Sequence, residues 1–445
     1  MKNNRVNEFV QNPKKALFIL AGPMILAMLV QVLYNIVDTA YVGRLGAEAL
    51  AALTFSFPVF FILIAVMSGL NAGVVSRISR YLGENKKKQA ENTAMHGVLF
   101  SFVASLIISV LGLIFIKPLF MLLGAKGDVL MYSIHYMSII FMGAVFLFLT
   151  FTLFAIFNGQ GNTKTPMKIE IAILLLNIIL DPLFIYYFGF GVRGAAIATV
   201  ITFFVGLVLA LLSLKKHSYL ELSFKSFRFD MRILKEIFSI GSSATLMMLL
   251  MSFYSAVFNR VMVIFGTEHV ATLGVAFRLE SVIVMPIVAV SLSLLTLAGM
   301  YHGAKRKDLV LYITNYGTKI SALFALIMGI VFFAVPSLFL RIFTSDATII
   351  SLGVPFIRID VLALPFFAVM LIYGRVLQGM GYGLPSLITT LIRVIFVGIP
   401  LSLIFVFVLG YGYLSIAVAL VIATVVAAGV AWLWLWLKFR KLSTS

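Results

Sequence analysis

Two aspartates stand where their surroundings should exclude them. Asp38 lies in a run from Lys15 to Arg44 that holds no other charge, and Asp181, in NIILDPLF at 177–184, repeats the situation. An ionised carboxylate at the centre of a membrane helix costs roughly 2.5–3.5 kcal/mol on insertion scales, and such residues mark ion paths or proton relays. Asp38 is eight residues from Gly46, Asp181 eight from Gly189, Thr199 eight from Gly191 and Tyr136 eight from Asp128. At helical rise all four lie about 12 Å below one surface, where they can meet in a layer. Asn177 is one turn from Asp181 on the same face. Pro182 has no N–H, so the carbonyl of Ile178 loses its helical donor. Two carboxylates, an amide, a hydroxyl and a bared carbonyl are hard oxygen donors, suited to Na⁺ or a proton. Desolvation and mutual repulsion oppose ionising both acids at once. Uptake of H⁺ or Na⁺ relieves that conflict, so Asp38, Asp181, Asn177 and Thr199 read as a cation-coupling site. The alternative is structural: a permanently protonated Asp38 bonded to Asn35 or Tyr34, and an Asp181–Pro182 pair that only kinks its helix.

The elements that position these residues are membrane helices. Hydrophobic residues make up 62% of the 445 and charged ones 11%, far from the globular balance. Twelve apolar runs, each long enough to cross a bilayer, cover 15–43, 50–80, 93–116, 129–157, 166–188, 192–214, 233–264, 270–300, 309–340, 348–377, 384–409 and 412–437. The net charge of +18 sorts by connection: Lys86, Lys87 and Lys88, then Lys215 to Lys235, then Lys305, Arg306 and Lys307 fall on one side with both ends of the chain, while Arg44, Lys117, Lys126, Arg193 and Arg341 are sparse on the other. The positive-inside rule makes both termini cytoplasmic in a multi-pass protein of the cell membrane. No gathered basic face with stacking aromatics supports a nucleic-acid partner. With no cysteine, no HExxH and no Walker motif, nothing marks a catalytic residue or a cofactor, which leaves an intramembrane enzyme as the weakest rival.

Residue n of the first half matches residue n+220. GVVSRISRYLGENKKK (73–88) aligns with SLLTLAGMYHGAKRKD (293–308), LGAEALAAL (45–53) with FGTEHVATL (265–273), and FNGQGNTKTP (157–166) with LQGMGYGLP (377–385). An even number of helices per repeat makes the halves parallel, related by a pseudo-two-fold axis along the membrane normal, the arrangement of transporters whose bundles rock around a cavity. The expected domains are an amino-terminal lobe 1–214, a cytoplasmic linker 215–232 and a carboxyl-terminal lobe 233–445. The repeat also acts as a control, because Asp38 maps to Phe258 and Asp181, aligned by Pro182 on Pro400, maps to Ile399, so the scaffold does not itself require acids there. The second half carries Arg278 and Glu280, then Arg358 and Asp360, with Lys319 and Arg393 nearby, and salt bridges between helices are the expected use of this charge network.

The segments YNIVDTAYVGRLG, SGLNAGVVSRISRYLG, FNGQGNTKTPM and NIILDPLFI resemble those of the multidrug and toxic compound extrusion family over nearly the whole chain, and the acids of the first half resemble its prokaryotic DinF-like branch. The resemblance implies a monomeric secondary antiporter that exports amphipathic, often cationic drugs or metabolites against inward H⁺ or Na⁺. It implies that Asp38, Asn177, Asp181 and Thr199 hold the coupling cation, that Gln31, Tyr34, Tyr136 and Asn158 support the substrate cavity, and that Pro23 is a bending point of the first helix. A lipid-linked saccharide flippase of the same superfamily is the alternative, kept open by the basic residues 278, 319, 358 and 393.

Overall fold

The computed structural model describes residues 5–443; the outermost residues of the two expected lobes, 1–4 and 444–445, lie outside the described residues. All described secondary structure is helical. A short α1 (Val6–Gln11) precedes α2 (Pro13–Gly43), α3 (Ala47–Gly83), α4 (Lys87–Leu122), α5 (Gly127–Gly159), α6 (Lys164–Pro182, prolonged by a π-turn to Tyr187) and α7 (Val192–His217). The second half follows with α8 (Met231–Met262), α9 (Thr267–Gly303), α10 (Lys307–Ala334), a short α11 (Pro336–Leu340), α12 (Ala347–Asp360) running on into α13 (Leu364–Gly379), α14 (Leu384–Leu391) running through a π segment into α15 (Ile399–Leu403), and α16 (Leu414–Ser443). Twelve helices are long and apolar enough to span a membrane. Large apolar side chains such as Leu111, Ile114 and Phe115 are exposed along α4, which suits contact with lipid.

The ninth run ends earlier than the sequence pattern predicts. Pro336 has no N–H to donate and disfavours helical geometry in the residue before it, so Val335 sits at φ −128° and ψ 50° and the chain restarts as α11.

Contacts divide the described residues into two compact units, 5–8 with 22–242 and 9–21 with 243–443. The boundary therefore runs inside two long helices, where the sequence reading placed it in the connection between lobes. Residues 9–21 join the second unit because Phe9 is buried there and its carbonyl accepts a 2.7 Å hydrogen bond from the Tyr301 hydroxyl, while the Lys14 ammonium lies 5.0 Å from the Tyr316 ring. The first turns of α8 belong to the first unit: Glu236 pairs with Arg77 and Arg80 at 2.6 and 2.9 Å, and a Cβ on Gly73 would collide with the carbonyl oxygen of Ile237.

Each unit has its own core. In the first, α5 is packed by α3, α4 and α7; in the second, α13 is packed by α9, α10 and α16, the same neighbour pattern in the repeated elements. The repeat extends to backbone detail. Asn85 and Lys305 both adopt left-handed φ near 57° and 59°, and each is followed by a residue whose N–H bonds back at 2.9 Å, Lys86 to Tyr81 and Arg306 to Tyr301. Non-glycine residues in this conformation are uncommon, so the shared turn ties the two halves more tightly than helix count does.

The segment after α7 is strapped onto the first unit. The Gln160 side-chain carbonyl accepts from the Ser218 hydroxyl at 3.0 Å and from the backbone N–H of Tyr219 and Leu220 at 2.8 and 3.3 Å. Asn92 bonds both backbone groups of Arg228, and His96 Nε2 lies 2.9 Å from the Asp230 backbone nitrogen. Asp230 caps α8, accepting from the Arg232 N–H at 2.8 Å, and that bond, with the guanidinium, holds its carboxyl below the usual carboxylate range. Gln160→Leu removes the acceptor shared by three donors; the Ser218 hydroxyl and the Leu220 N–H keep their bonds to each other's residue, while the Tyr219 N–H is left unpaired, a loss of about 1–3 kcal/mol where buried. Limited proteolysis of the purified protein is expected to cleave between 218 and 230 faster in that variant than in wild type, with the helical content unchanged.

Candidate functional site

The first unit contains a cavity of about 260 Å³, near the lower end of small-molecule pockets. Helix α2 contributes Gln31, Tyr34, Asn35 and Asp38, whose spacing of three, four and seven residues makes one polar stripe on an otherwise apolar helix. The remaining wall comes from α3 (Ser56, Phe60, Met67), α5 (Tyr136, Phe151, Phe154), α6 (Glu170, Ile173) and α7 (Thr199, Phe203). Residues 199 and 203 are one turn apart and so face the same way. The lining holds two carboxylates and no lysine, arginine or histidine.

At the edge of this cavity the oxygens are under-satisfied. Asp38 is 8% exposed, and Asn177 and Asp181 are fully buried. Asn177 donates from Nδ2 to Asp181 Oδ1 at 2.8 Å, while the Tyr34 hydroxyl donates to Thr199 Oγ1 at 3.0 Å. That leaves Asp38 Oδ1, Asp181 Oδ2 and the amide oxygen of Asn177 buried without a donor. Buried polar atoms are nearly always satisfied, so three orphan acceptors in one neighbourhood are an unusual concentration of unmet acceptor capacity. Asp181 is near enough to Asp38 and Tyr34 to interact with both electrostatically, although it does not itself line the cavity.

The structure thus brings Asp38, Asp181, Asn177, Thr199, Tyr34, Gln31 and Tyr136 into one neighbourhood. It does not bring Asn158 there. Asn158 occupies the last turn of α5, 22 residues from Tyr136, about 33 Å along a helix axis, and is not part of the cavity wall. Pro23 also lies outside the wall, 15 residues before Asp38, within an α2 that continues through it. The carbonyl of Ile178, expected to be bare, faces the Tyr41 hydroxyl at 3.5 Å. Sequence reasoning missed Glu170. The signal was available, since 170, 177 and 181 recur at seven and four residues and mark one face of α6.

The second unit uses the equivalent space differently. Tyr254 and Phe258 are buried with ring centroids 4.3 Å apart, so the counterpart of Asp38 is core packing. The expected charge network of Arg278, Glu280, Arg358 and Asp360 does not form: Arg278 and Arg358 are exposed, Arg358 donates to the Phe333 carbonyl at 3.1 Å, and among the described residues no ion pair joins the four. Each arginine lies two residues from the acid of its own helix and so on another face, and that face is exposed, which keeps it from the acid of the other helix as well. Arg393 is the basic neighbour of both acids. It is buried, donates to Thr424 Oγ1 at 3.0 Å and lies 4.9 Å from the Phe367 ring. Lys319 is exposed.

The MatE family pattern matches residues 23–183 and again 244–404, so the internal repeat at roughly 220 residues is the family's own unit occurring twice. The chain is 28% identical over 412 residues to the probable multidrug resistance protein NorM of Thermotoga maritima, covering 91% of this chain and 88% of that one. It is 30% identical to the FAD transporter of Shewanella oneidensis over 83% of each. A crystal structure of a MATE protein in the bent conformation superposes with a TM-score of 0.96 at 29% identity, over 100% of this chain and 99% of its own. With both halves matched and the solved fold shared end to end, this chain belongs to the MatE family of multidrug and toxic compound extrusion transporters, which are membrane carriers and not enzymes.

Proposed function

We propose that this transporter is an antiporter of the cell membrane that exports amphipathic organic cations in exchange for inward H⁺ or Na⁺, with the coupling ion taken up at Asp38, Asp181, Asn177 and Thr199. The observation that carries the reading is the set of three buried oxygens without donors, on Asp38, Asn177 and Asp181, beside a cavity with no basic side chain. A site that is short of positive charge is improved by a small cation, and an export cycle follows if cation and drug each weaken the other's binding. In that cycle the coupling ion binds from outside and expels the drug, the carrier returns empty of drug, and ion release inward permits reloading. The protein works as a monomer with both termini cytoplasmic, as its charge distribution suggests.

A relative that carries FAD raises the question of an anionic substrate, and the flippase alternative raises the same question. Two acids in the cavity wall argue against a phosphate-bearing cargo there, since an anion would meet like charge in a poorly hydrated space. The test is transport by proteoliposomes carrying the wild-type protein, with ethidium and FAD as alternative cargoes under imposed pH or Na⁺ gradients. Ethidium movement that follows one of the gradients supports the proposal. Movement of FAD alone, or ethidium movement indifferent to both gradients, overturns it.

A further inference from the structure

Glu170 is an acid that neither the coupling site nor the fold uses. It lines the cavity of the first unit from α6, and among the described residues no hydrogen bond or ion pair reaches it. The lysines of its own helix, Lys164 and Lys168, are exposed and face elsewhere. Seven residues separate it from Asn177 and eleven from Asp181, near-integral numbers of turns, so all three lie on one stripe, with Glu170 about 10 and 16 Å away along the axis. A carboxylate without a partner costs stability and holds no helix to another. Phe151, Phe154, Ile173 and Phe203 line the same cavity.

That surrounding decides the class of ligand. Na⁺ needs several hard oxygens; those of the cavity on Gln31, Tyr34, Asn35, Asp38 and Thr199 belong to α2 and α7, whereas α6 brings only the Glu170 carboxylate and the apolar Ile173 to the wall. Aromatic faces attract large, weakly hydrated organic cations, and a nearby fixed negative charge completes the match. We propose that Glu170 anchors the positive end of a lipophilic organic cation in the cavity of the first unit, at a position separate from the Asp38–Asp181 coupling pair. The proposal rests on the export reading above and names the residue that selects its substrate by charge.

The test uses full-length protein in detergent, with equilibrium binding of tetraphenylphosphonium and of neutral triphenylphosphine oxide to wild type, Glu170→Gln and Glu170→Asp, each first shown to be monodisperse. Glu170→Gln is expected to weaken tetraphenylphosphonium about tenfold or more while changing the neutral probe less than about twofold, with Glu170→Asp intermediate. If Glu170→Gln binds the cation as wild type does, or if both Glu170 variants lose both probes equally, the assignment is overturned, the second result being an effect of shape. If wild type exports tetraphenylphosphonium while Glu170→Gln binds it unchanged, Glu170 fails and the export reading stands. If wild type neither binds nor exports it, the export reading falls and takes this one with it.

Discussion

Asp38→Asn is expected to lower gradient-driven ethidium export by about tenfold or more while leaving the protein folded. The amide has the shape of the carboxyl but neither takes a proton nor attracts Na⁺, so the substitution removes the response to the coupling ion without opening a cavity. Folding should survive because Asp38 makes no structural bond that the amide forfeits; its buried Oδ1 has no donor. Coupling is a difference in drug affinity between ion-bound and ion-free forms, and a site that no longer binds the ion has no such difference. The measurements are ethidium binding across pH and Na⁺ concentration, which should become flat in the variant, and proteoliposome export. Export at the wild-type rate under either gradient would remove Asp38 from the coupling site. The repeat sharpens the expectation, because the equivalent Phe258 is packed on Tyr254 at 4.3 Å, and the scaffold plainly accommodates a residue without charge.

How far the sequence carried these conclusions depends on whether a feature is local. Spanning helices follow from runs of apolar residues, which report solvent directly, and the depth of Asp38, Thr199 and Tyr136 follows from counting along rigid helices from turns marked by glycine, as at Gly189 and Gly191 with φ of 68° and 56°. Glu170 escaped because counting began at the outer surface and because two lysines nearby, at 164 and 168, gave that end of α6 the look of a cytoplasmic margin. The stripe through 170, 177 and 181 would have exposed it. Asn158 was taken into the cavity on motif alone, and a helix of 33 residues puts it at the wrong end. Arg278, Arg358, Lys319 and Arg393 all stand in the sequence as candidate partners of Glu280 and Asp360 across helices, and only the tertiary structure singles out Arg393. Proximity along the sequence says little about a tertiary contact, and neither does it show that the segment after α7 is tied down by Gln160 or that the unit boundaries fall within α2 and α8.

Arg393→Met is expected to destabilise the second unit by up to about 3–5 kcal/mol at neutral pH, the scale of removing the basic member from a buried charged group. Arg393 is 7% exposed, and the acids nearest to it, Glu280 and Asp360, have no other basic neighbour now that Arg278 and Arg358 are known to be exposed. Its bond to Thr424 and its contact with the Phe367 ring fix the guanidinium between helices, so the loss is one of packing as well as charge. Methionine is flexible enough to fill much of the vacated space, which confines the deficit mainly to the stranded carboxylates. Two consequences separate this account from a simple packing defect. The melting temperature of Arg393→Met should approach that of wild type as the pH is lowered, because protonation removes the charges that the guanidinium had neutralised. Adding Glu280→Gln and Asp360→Asn to the same chain should recover most of the stability at neutral pH. If the triple variant melts as low as the single one, the contribution of Arg393 is steric, and the second unit holds its acids without electrostatic help.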